Sequence, residues 1–158
     1  MNNVLGSTTQ KVLSVFFAAS IAFVMSSAAL AQQDTRTPEE KAYQYRGGVF
    51  HAMEWKMGQM IQAKIQADKQ AFQKHAGDMA YLAGLIDEGF IANSIVEGSK
   101  AKPEIWQDRE DFSRRANELQ QTAAAFAESG DIEGFNPRKF GGDTCGACHR
   151  NYKEKDKE

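Results

Sequence analysis

The sequence has few of the residues that cross-link or kink a chain. Its 158 residues include two cysteines and three prolines, so neither a disulfide framework nor a proline-rich scaffold is expected. A glycine-rich phosphate loop is also lacking, because the Gly-Gly pairs at 47–48 and 141–142 have no strand-glycine-helix context. There is no basic stripe, and the formal net charge is −2, which argues against nucleic acid as a partner.

The first 31 residues have the layout of a secretory signal peptide. Lys11 is their one charged side chain, and the apolar run over 12–25 is followed by small residues that end at Ala31. We therefore expect cleavage before Gln32 and export to the periplasm, with no membrane association afterwards. A membrane anchor is the alternative, but this apolar run of 14 residues is shorter than the roughly 20 that a spanning helix needs.

The remaining residues, 32–158, would form one domain of 127 residues with a net charge of −3, because Lys11 is the only charge removed. After residue 38 there is little strand-like alternation, and apolar residues recur at intervals of three and four, as in amphipathic helices. The pattern predicts helices over about 37–67, 70–93, 102–129 and 141–155, with a connector at 131–140. Because short links place consecutive helices antiparallel, we predict an all-α, up-down-up-down four-helix bundle.

Both cysteines lie near the end of the chain, in the sequence CGACH at 145–149. On a helix, Cys145, Cys148 and His149 share one face because they are three and four residues apart. Two thiols can add to the two vinyl groups of a haem while the imidazole beside them reaches the iron, and CxxCH is the spacing of c-type haem attachment. The motif therefore predicts one covalent haem c enclosed by the bundle, with His149 as an axial ligand of the iron.

The alternatives for the two cysteines are an ordinary disulfide, a redox dithiol and half of a zinc site. A redox dithiol is expected in a βαβ context, which is lacking in this helical sequence. A structural zinc site needs four ligands, and His51 and His75 have no pairing spacing. Export and a helical bundle that could receive the ring favour haem.

The other side of the iron distinguishes an electron carrier from a gas-binding protein. A methionine ligand gives a six-coordinate electron carrier, whereas an apolar gap leaves the iron open to a small gas molecule. Met53, Met57 and Met60 all lie on the apolar face of the first predicted helix. Their spacing does not separate a ligand from core packing, although methionine at such positions is ordinarily core.

The sequence resembles cytochrome c′, a class of c-type cytochromes built on a four-helix bundle with CxxCH near the C-terminus. The resemblance extends over nearly all of the predicted mature chain. Its most specific elements are YR at 45–46, PEIW at 103–106 and the CGACH motif, which occur in the family's order and approximate spacing.

The resemblance implies roles for residues around the haem. Arg46 would lie near the haem propionates. Phe50, four residues later, would cover the distal side of the iron, where it cannot act as a ligand. Phe90 matches a second position, which often carries an aromatic distal wall.

Three further positions match the family pattern less closely. Lys102 and Glu104 are candidate contacts at the haem edge. The family's usual basic residue four after the histidine, commonly arginine, is Lys153 here. Lysine keeps the positive charge beside the proximal histidine but lacks the planar, multi-donor fork of arginine.

An iron held by His149 and covered by Phe50 and Phe90 would have no distal hydrogen-bond donor for dioxygen, whereas NO and CO need less such help. We therefore expect a five-coordinate haem protein, not an enzyme, that binds NO or CO. Its role would be NO buffering or detoxification, electron transfer with a redox partner that the sequence does not identify, or both.

Three other functions are alternatives. The first is a low-spin electron-transfer cytochrome with Met53 or Met57 as sixth ligand. The second is peroxidase-like turnover with His51 as distal base, but His51 is about 100° around the helix from Phe50 and is expected at the surface. The third, a bundle with a purely structural or interaction role, is disfavoured by the haem motif.

The resemblance also implies a homodimer formed through the first two helices. Trp55, Ile65 and Phe72 are large apolar residues that one core stripe does not all accommodate. An exposed cluster of them would mark a contact surface.

Overall fold

The computed structural model describes residues 34–92 and 94–155, and the predicted signal peptide lies outside these residues. None of the helices in the described part of the chain combines the length and apolar character that crossing a membrane requires. The helices are α1 (Pro38–Ile65), α2 (Lys69–Gly84), a 3₁₀ turn (Asp87–Gly89), α3 (Glu104–Gln107), α4 (Arg109–Ser129), α5 (Pro137–Asp143) and α6 (Cys145–Tyr152).

The start of α1 follows directly from its sequence. The Thr37 hydroxyl accepts from the Glu40 backbone N–H at 3.2 Å, and the Glu40 carboxylate accepts from the Thr37 N–H at 2.7 Å. This capping box, with Pro38 in the first turn, satisfies backbone donors that have no partner within the helix. The helix therefore begins where it was predicted.

The second predicted helix is shorter than expected. It was predicted to run to about residue 93 because Ile86 and Phe90 continue the apolar spacing, but α2 ends at Gly84. The chain then turns at Leu85 into the 3₁₀ turn. Both Ile86 and Phe90 are still buried, so the spacing identified core residues correctly but assigned them to the wrong backbone conformation.

The third and fourth predicted helices are each divided in two. Asp108 interrupts the third, and its carboxylate accepts from the Asp111 N–H at 3.2 Å, so it begins α4 as an N-cap. The fourth begins earlier than predicted, at Pro137, because Asn136 caps α5 by accepting from the Lys139 N–H at 3.1 Å. Part of the predicted connector is thus helical.

The four helical segments of the bundle are α1, α2, α4 and the α5–α6 pair. α2 packs against both α1 and α4, while α6 packs against α3, α4 and α5. A short turn capped by Asp68 joins α1 to α2, which makes these neighbours antiparallel. The all-α, up-down-up-down four-helix bundle is confirmed.

Two groups of aromatic rings fill the core. One joins α2, α4 and α5, and its rings are Phe72, Phe126, Phe135 and Phe140. The other, which we call the ring row, runs in the order Phe50, Phe90, Phe112 and Tyr152, with centroid separations of 6.2, 4.8 and 5.3 Å.

The three residues considered for a dimer contact differ in their exposure. Phe72 is completely buried, so its inclusion among surplus surface residues was wrong. Trp55 is 64% exposed and Ile65 is also exposed, so these two remain available for a contact.

Candidate haem-binding site

The CGACH motif is held between two buried aromatic side chains. Phe140 on α5 and Tyr152 at the end of α6 are both in the core. Between α5 and α6 lies Thr144, whose buried hydroxyl donates to the Phe140 carbonyl oxygen at 2.7 Å. The helix that carries the motif is therefore fixed to the bundle at both ends.

Both cysteines are free thiols. Cys148 packs against the hydrophobic core, and this burial raises the pKa of its thiol to about 11. Such a thiol is protonated at neutral pH, unlike the low-pKa attacking cysteine of a redox dithiol. The Cys145 sulfur lies 3.6 Å from the Thr144 hydroxyl oxygen. The two cysteines therefore form no disulfide with each other.

His149 follows directly on α6. Protein covers part of the His149 side chain and lowers the pKa of its imidazole, and the positive charge of Lys153 lowers it further. A neutral imidazole keeps a nitrogen lone pair that can bind iron. Within residues 34–92 and 94–155, no group of three or more His, Cys, Asp and Glu side chains is arranged to hold a metal ion.

The ring row connects this motif with α1. Tyr152 lies one helical turn after Cys148, and its ring meets Phe112 edge to face. Phe112 contacts Phe90, which contacts Phe50 on α1. Phe50 is 37% exposed, and α1 packs mainly against α2 and the 3₁₀ turn rather than against α6. The ring row thus runs from the incompletely covered Phe50 on α1 to Tyr152, which lies on the helix that carries the two thiols and the imidazole.

Arg46, which was predicted to lie near the haem propionates, is buried and bonded to other residues of the protein. Its side chain is 4% exposed. Nη1 donates to the Gly89 carbonyl oxygen and the Ser94 hydroxyl, and Nη2 donates to the Ser94 carbonyl oxygen and the Ser99 hydroxyl, at 2.7 to 3.1 Å. The propionate contact stays a prediction.

The other predicted residues lie near the end of α6. Lys102 donates through Nζ to the Asn151 carbonyl oxygen at 2.9 Å and lies 3.6 Å from the Glu104 carboxylate. Lys153 follows the last residue of α6 and forms an isolated antiparallel bridge with Ala101. The structure thus places these three residues at one end of α6. Contacts of Lys102 and Glu104 with a haem edge stay predictions, as does a role of Lys153 beside a haem-bound His149.

The methionines and His51 bear on the alternative functions. Met53 and Met60 are buried in the hydrophobic core, and Met57 packs against it while partly exposed. His51 has a side chain that is 85% exposed and lies 3.8 Å from the Glu54 carboxylate. His51 therefore lies at the surface, as expected.

A polar network between α4 and α6 was not predicted from the sequence. The Asp111 carboxylate accepts from the Tyr152 hydroxyl and from Arg115 Nε, both at 2.6 Å, and Arg115 Nη1 donates to the Ala147 carbonyl oxygen at 3.2 Å. The four-residue spacing of Asp111 and Arg115 is a readable signal for a helical ion pair. Their contacts with α6 depend on tertiary packing and have no such signal.

This arrangement is typical of a c-type haem protein, because an antiparallel helical bundle carries CxxCH on its last helix. The family model described as Cytochrome C′ matches residues 41–153. The chain therefore belongs to the cytochrome c′ family, and this membership implies haem c as the cofactor.

Individual relatives agree with this assignment. The chain is 32% identical to cytochrome c′ from Halomonas halodenitrificans over 128 residues, which cover 72% of the chain and 96% of the relative. It is 31% identical to cytochrome c-554 from Cereibacter sphaeroides over 108 residues, covering 64% of the chain and 71% of the relative.

Solved structures show the same fold. Cytochrome c prime from Shewanella frigidimarina has a TM-score of 0.63 and 28% identity, covering 76% of this chain and 99% of that one. A nitric oxide complex of a mutant cytochrome c prime from Alcaligenes xylosoxidans also has a TM-score of 0.63, with 27% identity, covering 75% of this chain and 97% of that one.

Proposed function

We propose that this protein is an exported, periplasmic cytochrome c′ that binds NO and CO at a five-coordinate iron. Cys145 and Cys148 would hold one haem c through two thioether bonds, and His149 would be its axial protein ligand. The bound haem supplies a coordination position for a diatomic gas. The chain supplies the attachment, the proximal ligand and the surroundings of the open side.

The observation that carries this proposal is the apolar pair Phe50 and Phe90. Their rings meet edge to face with centroids 6.2 Å apart, and neither ring can ligate iron or donate a hydrogen bond. Bound dioxygen gains much from a distal donor, whereas NO and CO need less such help. The nitric oxide complex among the similar structures supports NO as the ligand.

The physiological role would be NO buffering or detoxification, electron transfer with a redox partner, or both. We propose no enzymatic turnover, because proton transfer at the distal side would need a general base within hydrogen-bond reach. The exposed side chain of His51 does not provide that base.

Family membership also supports a proposed homodimer through α1 and α2. Trp55 on α1 and Tyr81 on α2 are 64% and 70% exposed, unusually high for large aromatic residues. A second copy could cover them, because large exposed apolar groups are typical of contact surfaces.

The test of the gas-binding function is a set of visible and electron paramagnetic resonance spectra of the haem-loaded protein, oxidised and reduced, with and without CO and NO. We expect high-spin spectra without ligand and rapid changes when either gas is added. A low-spin wild type that shows the absorption of Met-ligated haem and reacts slowly with CO would support the electron-transfer cytochrome instead.

A further inference from the structure

The guanidinium of Arg46 has almost no donors left for a ligand. Arginine has five N–H groups, four of them on Nη1 and Nη2. These two nitrogens make four hydrogen bonds, to oxygens of Gly89, Ser94 and Ser99. The two-pronged fork that usually grips a carboxylate is therefore already occupied by the protein itself.

All four acceptors belong to the chain after α2, over residues 89–92 and 94–99, which we call the post-α2 segment. Helix α2 has ended before this segment, and α1 supplies Arg46 from 43 to 53 residues earlier in the sequence. The segment also accepts hydrogen bonds from Tyr43 on α1, Trp106 on α3 and Arg109 on α4. Arg46 contributes four bonds that join the segment to α1, more than any of these three side chains.

Gly89 brings the segment unusually close to α1. A Cβ atom added at Gly89 would lie 2.6 Å from the Arg46 Cβ and 3.1 Å from its Cα. Backbone atoms cannot move away as a flexible side-chain end can, so any residue larger than glycine would push the segment off α1. Glycine thus permits the approach that the Arg46 hydrogen bonds require.

The same guanidinium packs on the distal wall. Its central carbon lies 4.9 Å from the centroid of the Phe90 ring and 5.2 Å from that of Tyr43. Phe90 in turn meets Phe50 edge to face. Arg46 therefore holds the backbone on both sides of Phe90 and also covers one of its ring faces.

We propose that Arg46 is a positioning residue that sets the distal aromatic wall by holding the post-α2 segment against α1. Its hydrogen bonds to Gly89, Ser94 and Ser99 keep Phe90 against Phe50. The size of the opening above the iron would then depend on residues that touch neither the haem nor the gas. This inference rests on the proposed gas-binding function only for its kinetic consequence.

The experiment separates this role from a direct effect of Arg46 on a propionate. The double variant Ser94→Ala, Ser99→Ala removes two hydroxyl acceptors and leaves the arginine charge in place. Gly89→Ala disturbs the same contact from the backbone side. Ser129→Ala is the matched control, because that hydroxyl bonds at the end of α4, where it donates to the Ala125 carbonyl oxygen and accepts from the Asp131 N–H.

Two measurements are made on the haem-loaded proteins. The amide hydrogen exchange rates of Gly89 and Phe90 report how often the post-α2 segment opens, independently of gas binding. The CO association rate constant reports how easily a gas molecule passes the distal aromatic wall. We expect both to rise roughly two- to tenfold in the double-serine and Gly89→Ala variants, the size of one or two lost hydrogen bonds. The reduction potential and the Ser129→Ala control should stay unchanged.

The proposal would be overturned if the double-serine variant had the amide exchange rates and the CO association rate constant of the wild type while Arg46→Lys changed both quantities. Arg46 would then act directly on the haem. If the wild type were low-spin, the gas-binding proposal would fail, but the exchange rates at Gly89 and Phe90 would still decide whether Arg46 holds the segment.

Discussion

Arg115 on α4 donates a hydrogen bond to the carbonyl oxygen of Ala147 at 3.2 Å, inside the CGACH motif. The same guanidinium is fixed by the Asp111 carboxylate, which also accepts from the Tyr152 hydroxyl. One ionised carboxylate on α4 thus orients two groups that hold α6, the helix that carries the CGACH motif. Its charge should make the stability of that helix depend on pH.

The first prediction concerns this pH dependence. The hydroxyl of Tyr152 and the guanidinium of Arg115 hold the pKa of Asp111 well below its ordinary range. A lowered folded-state pKa stabilises the fold fully above the ordinary carboxyl value of about 3.9, and this contribution is lost as the pH falls toward the lowered value. Asp111→Asn should therefore melt at a lower temperature at pH 7, and its difference from the wild type should narrow below about pH 4.

Thermal unfolding of the haem-loaded proteins at pH 7, 5 and 3 measures this effect. Asp143→Asn is the control, because Asp143 forms an exposed pair with Lys139 on α5 and such pairs contribute little. A difference between Asp111→Asn and the wild type that stayed constant from pH 7 to 3 would show that the carboxylate charge is not responsible.

The second prediction concerns covalent attachment. With both Cys145 and Cys148 replaced by alanine, haem should be extracted by acid and organic solvent, because no thioether bond remains. The variant should also fold poorly, since the ring would otherwise fill part of the bundle. Haem staining after denaturing electrophoresis measures attachment, and haem that stayed on the variant chain would contradict the assignment.

The third prediction concerns Phe50. Phe50→Ala should speed CO and NO association, because it enlarges the distal space. The stability loss should stay below the ~3–5 kcal/mol typical of a buried phenylalanine, since this ring is 37% exposed. Phe50→Met should instead slow gas binding and give a low-spin spectrum, because the thioether could reach the iron and the gas would have to displace it. Flash photolysis and visible spectra measure both, and an Ala variant with wild-type rates would remove Phe50 from the distal wall.

The fourth prediction concerns the methionines on α1. If Met53 and Met57 are packing residues, Met53→Leu and Met57→Leu should keep the wild-type spin state and gas-binding rates, and each should cost less than ~1.5 kcal/mol as a volume-conserving change. The absorption spectrum of the oxidised proteins measures this. A low-spin wild type that became high-spin in one of these variants would overturn the gas-binding function while leaving the fold and the haem attachment intact.

The fifth prediction concerns the proposed dimer. Trp55→Lys should shift the protein toward monomer, because it places a charge where a large apolar ring would be covered by the second copy. Sedimentation at micromolar concentration measures the effect, and Lys41→Glu is a control for a charge change elsewhere on α1. A wild type that sediments as a clean monomer would remove the dimer proposal.

Features encoded by neighbouring residues were predictable from the sequence. Thr37 as a cap and Pro38 in the first turn indicate the start of α1, and the spacing of Cys145, Cys148 and His149 indicates a haem motif, because each signal lies within about one helical turn. The start of α1 is confirmed, whereas the roles of the three motif residues stay predictions. The cap and proline at Asn136 and Pro137 are an equally local signal for the start of α5, but these residues were assigned to a connector.

Other features depend on residues far apart in the chain. The apolar spacing that continues through Phe90 does not reveal that Arg46 captures the backbone of Gly89 and stabilises a non-helical path there. Nor can sequence spacing show that Arg115 reaches Ala147, 32 residues later. Both contacts arise from how the helices pack, which sequence periodicity constrains to a face but not to a particular partner.

The backbone around Ala101 has a practical consequence for protein engineering. The Lys102 N–H donates to the Tyr152 carbonyl oxygen at 3.0 Å, and the Glu154 N–H donates to the Lys100 carbonyl oxygen at 2.8 Å. Backbone hydrogen bonds thus hold the chain in place for two residues beyond α6. An affinity tag or electrode-tethering peptide joined after Lys155 would begin beyond these bonds. Pulling on it would therefore load the hydrogen bond between Glu154 and Lys100 before it disturbed the CGACH motif.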